Sequence, residues 1–167
     1  MSKRWIGRAL AAAIAAASAA SVGAAGLTGA AAPDFVLRSV TGENLRLSEY
    51  RGEVVMLAFW ATWCGDCRSQ LEELGPLHER YRDAGFELLA ISLDQNLRQA
   101  EEGAESLGAT YPVLHDAGGA VGQLYEVERL PFVVLIDRSG VVRDVFQGHR
   151  RGEERQYLER VQGLLRE

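Results

Sequence analysis

Apolar and polar positions alternate along this chain in blocks that read as strands and helices. "VVMLAFW" (Val54 to Trp60) is an unbroken apolar run, partly β-branched, as expected of a strand covered on both faces. From Gly65 to Asp83, the residues Cys67, Leu71, Leu74, His78 and Tyr81 recur at helical spacing with charges between them. That predicts an amphipathic helix bent at Pro76. "GFELLAISLD" predicts a second buried strand, and "NLRQAEEGAESLG" a second helix that Asn96 caps and Gly108 closes. "TYPVLHD" predicts a short strand and "GGAVGQLYEV" a short helix. "PFVVLIDRSGVVRDVFQG" predicts a hairpin around Asp137-Arg138-Ser139-Gly140, and Glu153 to Arg166 a helix with Tyr157, Leu158, Val161, Leu164 and Leu165 on one side. Upstream, "APDFVLRSVTGENLRLSEYRGE" reads as two short strands around Thr41-Gly42. Strands alternating with helices and closing on a hairpin predict one α/β domain, its sheet covered by helices on both faces.

The first thirty residues do not fit that pattern. "MSKRWIGR" is basic, "ALAAAIAAASAASVGAAGLTGAAA" is small and apolar, and the first acid is Asp34. This is the layout of an export signal, so residues 1–30 are expected to be a signal peptide and 33–167 the folded domain. Val22-Gly23-Ala24 and Thr28-Gly29-Ala30 both offer small residues for cleavage, and a retained anchor is the alternative. From Pro33 onward 15 arginines face 23 acids, a net of −8, which disfavours nucleic acid and anionic lipid as partners. No lysine follows Lys3, which excludes a lysine Schiff base or a P-loop in the domain.

Two cysteines, Cys64 and Cys67, sit in "FWATWCGDC" at the start of the first predicted helix. At that spacing their Cα atoms lie roughly 5–6 Å apart on one side, within reach of a disulfide. A loop this short adds little stability, which argues against a structural staple. A structural zinc ion needs four ligands, and His78, His115 and His149 have no ligand spacing to each other or to the cysteines, so no metal site is expected. Redox exchange remains. Cys64, at the helix N-terminus, would be the attacking thiolate, and Cys67, one turn in, the resolving thiol.

"APDFVLRSVTGENLRLSEYRGEVVMLAFWATWCGDC", continued through "ISLD" and "RLPFVVLIDRSGVV" to "GH", resembles exported thioredoxin-like proteins of the TlpA/ResA group. The resemblance implies a thioredoxin-like fold with extra N-terminal strands and a central insertion within Asp94 to Asp116. It also implies dithiol–disulfide exchange with proteins of the bacterial cell envelope, without a dissociable cofactor. Leu130-Pro131 matches the group's cis-proline element, which would turn the Leu130 backbone toward the cysteines for pairing with an extended substrate. Trp63 and Phe132 would flank that groove.

Three positions depart from the pattern. Ala58 stands where thioredoxin has a buried acid, and Gln70 where ResA-like members have glutamate. The resolving cysteine therefore lacks its usual proton acceptors, leaving water, Glu73 or Asp66 to help. Asp66 replaces the usual proline between the cysteines; its charge suits a helix N-terminus but opposes the Cys64 thiolate, which leans the protein toward a reductant. The expectation is a monomeric, exported thiol-disulfide oxidoreductase of the periplasm or cell envelope. Its partners would be protein disulfides or dithiols and a membrane thiol electron donor, in cytochrome c maturation or copper-site assembly. The alternatives are a Cu(I) metallochaperone holding metal on Cys64 and Cys67, and a peroxiredoxin-like peroxidase, whose "PDF…L" opening this chain shares.

Overall fold

The computed structural model describes residues 26–148 and 152–167. Seven strands form one mixed sheet: β1 (Val36–Ser39), β2 (Asn44–Arg46), β3 (Val54–Trp60), β4 (Phe86–Ser92), β5 (Val113–His115), β6 (Phe132–Ile136) and β7 (Val142–Gln147), in the order β2-β1-β5-β4-β3-β6-β7. Four α-helices accompany them: α1 (Gly65–Tyr81), α2 (Leu97–Leu107), α3 (Ala120–Leu124) and α4 (Glu154–Leu165). β3 runs parallel to β4 and β4 to β5, while β6, β7 and the β1–β2 hairpin are antiparallel to their neighbours.

All seven residues of β3 are buried because the strand lies inside the sheet, between β4 and β6, with helices on both sides. Successive side chains therefore enter two cores in turn. Val54, Met56, Ala58 and Trp60 join Cys67, Leu71 and Leu74 of α1 and Tyr157 and Val161 of α4. Val55, Leu57 and Phe59 join Val121 of α3, Tyr125, and Phe35 from upstream of β1. The same alternation divides β6, with Val133 and Leu135 on the α1 face and Phe132, Val134 and Ile136 on the other.

The central segment Asp94 to Asp116 supplies α2 and β5. Asn96 caps α2 by accepting from the Gln99 N–H at 3.0 Å, and Gly108 closes it with φ of 60°. α1 runs on through Pro76 as one continuous helix. In the β6–β7 turn Asp137 Oδ1 accepts from the Ser139 and Val141 N–H groups, and Gly140 has φ of 80°. That left-handed backbone is what favours glycine at this position.

The packed body starts before Pro33. Leu27 and Ala32 are buried, Gly29 N–H donates to the Val142 carbonyl at 2.7 Å, and Ala31 bridges Val141. The reason is a sheet edge: among the described strands β7 has β6 as its one neighbour, and residues 29–32 cover its beginning. The rest of the expected signal segment, Val22-Gly23-Ala24 included, lies outside the described residues. Among the described residues no helix is long and apolar enough to cross a membrane.

Candidate active site

Parallel strands β3 and β4 end side by side at Trp60 and Ser92, and the chain leaves β3 through a turn into α1. Cys64 is the N-cap of α1, with extended backbone (φ −92°, ψ 105°), its N–H donating to the Ala61 carbonyl at 3.1 Å. The first turn of the helix presents unpaired backbone N–H groups there, which favours negative charge on sulfur. Cys64 and Cys67 are joined: Cα–Cα is 5.4 Å and S–S 2.02 Å. Cys64 is half-buried, and Cys67 is fully buried in the α1-side core. An attacking partner can reach the first sulfur and not the second.

Trp63 is 70% exposed, the most exposed large apolar side chain among the described residues. Together with Cys64, Asp66, Leu93 and Leu130 it lines a cavity of about 430 Å³. The Leu130-Pro131 bond is cis. Among the described residues no hydrogen bond uses the N–H or C=O of Leu130, whereas the Pro131 carbonyl accepts from Gly148 at 2.8 Å. A second cavity, about 270 Å³, opens on the other side of Cys64 between α1 and α2. There α2 approaches so closely that a Cβ on Gly103 would lie 2.6 Å from the Trp60 ring. A larger cavity, about 860 Å³, lies between the β1–β2 hairpin and α2 and is lined by neither cysteine.

Phe132 does not belong to this groove. It is fully buried against Phe59, ring centroids 5.9 Å apart, on the sheet face opposite Cys67. Strand alternation sends its side chain away from the cysteines. Two of the histidines lie among the described residues. His78 is buried among Phe86 and Tyr111, its Nε2 2.9 Å from Glu87 Oε1 but not aligned as a hydrogen bond. His115 Nε2 lies 2.9 Å from the Asp94 carbonyl, and His149 falls outside the described residues. Among the described residues, no three His, Cys, Asp or Glu side chains gather as a metal site.

Behind the active-site turn stands a carboxylate that sequence reading treated only as the edge of an insertion. Asp94 is 1% exposed. Its oxygens accept from Thr62 N–H at 3.1 Å, Thr62 Oγ1 at 2.7 Å and Ser92 Oγ at 2.9 Å. Thr62 is two residues before Cys64, so Asp94 ties the turn carrying the cysteine to the end of β4. An acid directly after a buried strand beside the motif strand was the available signal, since functional groups collect at the carboxyl ends of parallel strands. Asp94→Asn replaces an acceptor with an N–H₂ that opposes the Thr62 N–H. We expect a loss of about 2–3 kcal/mol in urea unfolding and roughly tenfold slower disulfide exchange. Unchanged values in both assays would exclude the brace.

Gln70, one turn beyond Cys67, is 1% exposed, and its Nε2 donates to Tyr157 Oη at 2.9 Å. Tyr157 is itself fully buried in α4. Burial pushes the Tyr157 phenol above its ordinary range; the bond from Gln70 opposes this, while Glu153 and Glu73 push it higher. Asp66 is exposed in the first turn of α1.

Comparison with known proteins places this geometry. The AhpC/TSA family profile matches residues 28–145. The chain belongs to that family. It is 38% identical over 120 residues to the thiol-disulfide oxidoreductase ResA of Geobacillus kaustophilus, covering 72% of this chain and 69% of that one. It is 37% identical over 134 residues to the ResA of Geobacillus thermodenitrificans, covering 80% and 77%. A Chlorobium tepidum protein assigned as the thiol:disulfide interchange protein DsbE superposes with a TM-score of 0.79 at 33% identity, over 83% of this chain and 97% of that one. The fold is thioredoxin-like, and this member of the AhpC/TSA family is a thiol-disulfide oxidoreductase. The likeness to ResA holds although Gln70 occupies a position where glutamate was expected.

Proposed function

We propose that the protein reduces disulfides in other proteins of the bacterial cell envelope through Cys64 and Cys67. One observation carries this reading: a half-exposed Cys64 heads α1 while its partner Cys67 is buried directly behind it. The Cys64 thiolate attacks one sulfur of the client disulfide, forming a mixed disulfide and releasing the other client sulfur as a thiolate. Cys67 gives up its proton to that leaving sulfur or to water and attacks Cys64 Sγ. The client leaves with two thiols, and the Cys64–Cys67 disulfide forms. Two electrons have moved to the client, and a membrane thiol donor restores the dithiol.

Several features support this assignment. The backbone N–H and C=O of Leu130, unpaired among the described residues and in the same cavity as Cys64, suit an extended client segment that adds main-chain hydrogen bonds. Trp63 and Leu93 offer apolar contacts on either side. Apocytochromes c and copper-site assembly proteins are the client classes that fit. Export with removal of the N-terminal segment belongs to the same reading. The packing of Leu27 to Ala32 favours cleavage after Ala24 over cleavage after Ala30, which would strip Leu27 from the core and the Gly29 bond from β7. Against a peroxidase role, the Thr62 hydroxyl donates to Asp94 and does not serve Cys64.

The direction of electron flow rests on Asp66, whose charge disfavours a thiolate on Cys64 and so favours the disulfide. Equilibration with glutathione tests it. A potential below about −220 mV supports a reductant, and one near −120 mV overturns it. Asp66→Pro is expected to become less reducing by up to about 30 mV. No shift, or a more reducing variant, would remove Asp66 from the account.

A further inference from the structure

The cavity of about 860 Å³ between the β1–β2 hairpin and α2 takes no part in the exchange chemistry, yet it has the size of a built ligand site. Its floor is apolar: Tyr111 and Val113 are buried, and Val40, Leu45 and Tyr50 are half-buried. Its charged lining residues are all acids. Glu43 stands in the hairpin turn, Glu101 and Glu105 stand on α2, and all three are exposed. Arg38, on the same hairpin, is not among the lining residues. Among the described residues none of the three glutamates is in an ion pair, whereas Asp34, Glu72, Glu102 and Glu167 each face an arginine. Burial, and then the charges of Glu87, Glu53, Glu49 and Glu43, push the Tyr50 phenol up to about 12, so the field at this floor is negative.

An apolar trough with an all-acid rim is complementary to a chain that carries positive charge and apolar side chains together. The spacing narrows the choice. Glu101 and Glu105 are neighbours one helical turn apart, about 6 Å, and alternate residues of an extended chain are about 7 Å apart on one side. Basic residues two positions apart can therefore meet the two carboxylates while the residue between them turns to the floor.

We propose that this groove docks an extended segment of a partner protein in which lysine or arginine alternates with apolar residues. α2 separates the groove from the cavity beside Cys64: Glu101 and Glu105 line the first, and Glu102, Gly103 and Ser106 the second. A partner seated in the groove leaves Cys64 uncovered, so the site adds a second point of attachment without blocking the first. It goes beyond the exchange reading and does not rest on it.

The test is a calorimetric titration of the oxidised wild-type protein with a short peptide that alternates lysine and leucine and holds no cysteine. That peptide should bind at low ionic strength and weaken at about 0.5 M salt, and the same peptide with glutamate for lysine should not bind. Amide resonances of Val40, Thr110 and Val113 should shift on binding. Glu43→Gln/Glu101→Gln/Glu105→Gln should lower the affinity by at least about tenfold, three exposed ion pairs acting together. Glu126→Gln/Glu154→Gln/Glu159→Gln removes the same charge outside the groove and should change it by less than about twofold. No binding, equal weakening in the two triple variants, or resonance shifts confined to other residues overturns the proposal. So does sedimentation of the free protein as a dimer that the groove variant dissociates, which would give the groove to a second copy.

Discussion

Cys64→Ser is expected to abolish disulfide reduction, with a loss of at least about 10³-fold to the uncatalysed background. The fold should survive, because the Cys64–Cys67 loop is too short to add much stability and Cys64 is only half-buried at the helix start. Insulin reduction by dithiothreitol-recycled protein is a sufficient assay. Cys67→Ser should behave differently: reduced beforehand and mixed with client without added thiol, its first attack proceeds and its resolution does not, so it should stall after about one client molecule per chain. The two cysteines are thus separable by stoichiometry as well as by rate. Turnover retained in Cys64→Ser would mean that the buried sulfur is the nucleophile, which its complete burial forbids without opening of α1.

Phe132→Ala is expected to have the second largest effect, on stability and not on catalysis. The Phe132 ring is fully buried, packs against Phe59 at 5.9 Å, and Phe59 in turn packs against Tyr125 at 5.6 Å. Truncation leaves a cavity in this aromatic cluster and should cost about 3–5 kcal/mol, a large share of the stability of an ordinary domain. Denaturant unfolding would show it. Because the ring lies on the sheet face away from Cys67, KM for a protein disulfide should be unchanged at temperatures where the variant is folded. A raised KM with native stability would return Phe132 to the substrate groove.

Phe132 also marks a boundary of what the sequence makes legible. The strand "PFVVLI" is evident as an apolar run, but a continuous run carries no alternation from which to read faces, and the turn at Leu130-Pro131 hides the register with the cysteines. Elements with local signals were readable: α1 from its spacing, α2 from Asn96 and Gly108, and the β6–β7 hairpin from Asp137 to Gly140. So was the pairing of Cys64 with Cys67, which depends on a single helical turn.

What stayed hidden depends on contacts between distant residues. Asp94 reaches Thr62 across 32 positions and Tyr157 reaches Gln70 across 87, and neither pair has a spacing that announces it. The small residues Gly29 to Ala31 read as a continuation of the export segment because their composition is the same. Their role as a cover for the β7 edge appears only once β7 is seen to be the last strand of the sheet among the described residues.

The central claim is that Cys64 attacks and Cys67 resolves. Incubating reduced Cys67→Ser with a disulfide-containing protein, quenching in acid and mapping the adduct by mass spectrometry tests it in one measurement. The account predicts one client joined through Cys64 in a stable mixed disulfide, released by added thiol. An adduct that fails to form, while Cys64→Ser traps the client on Cys67, would contradict it.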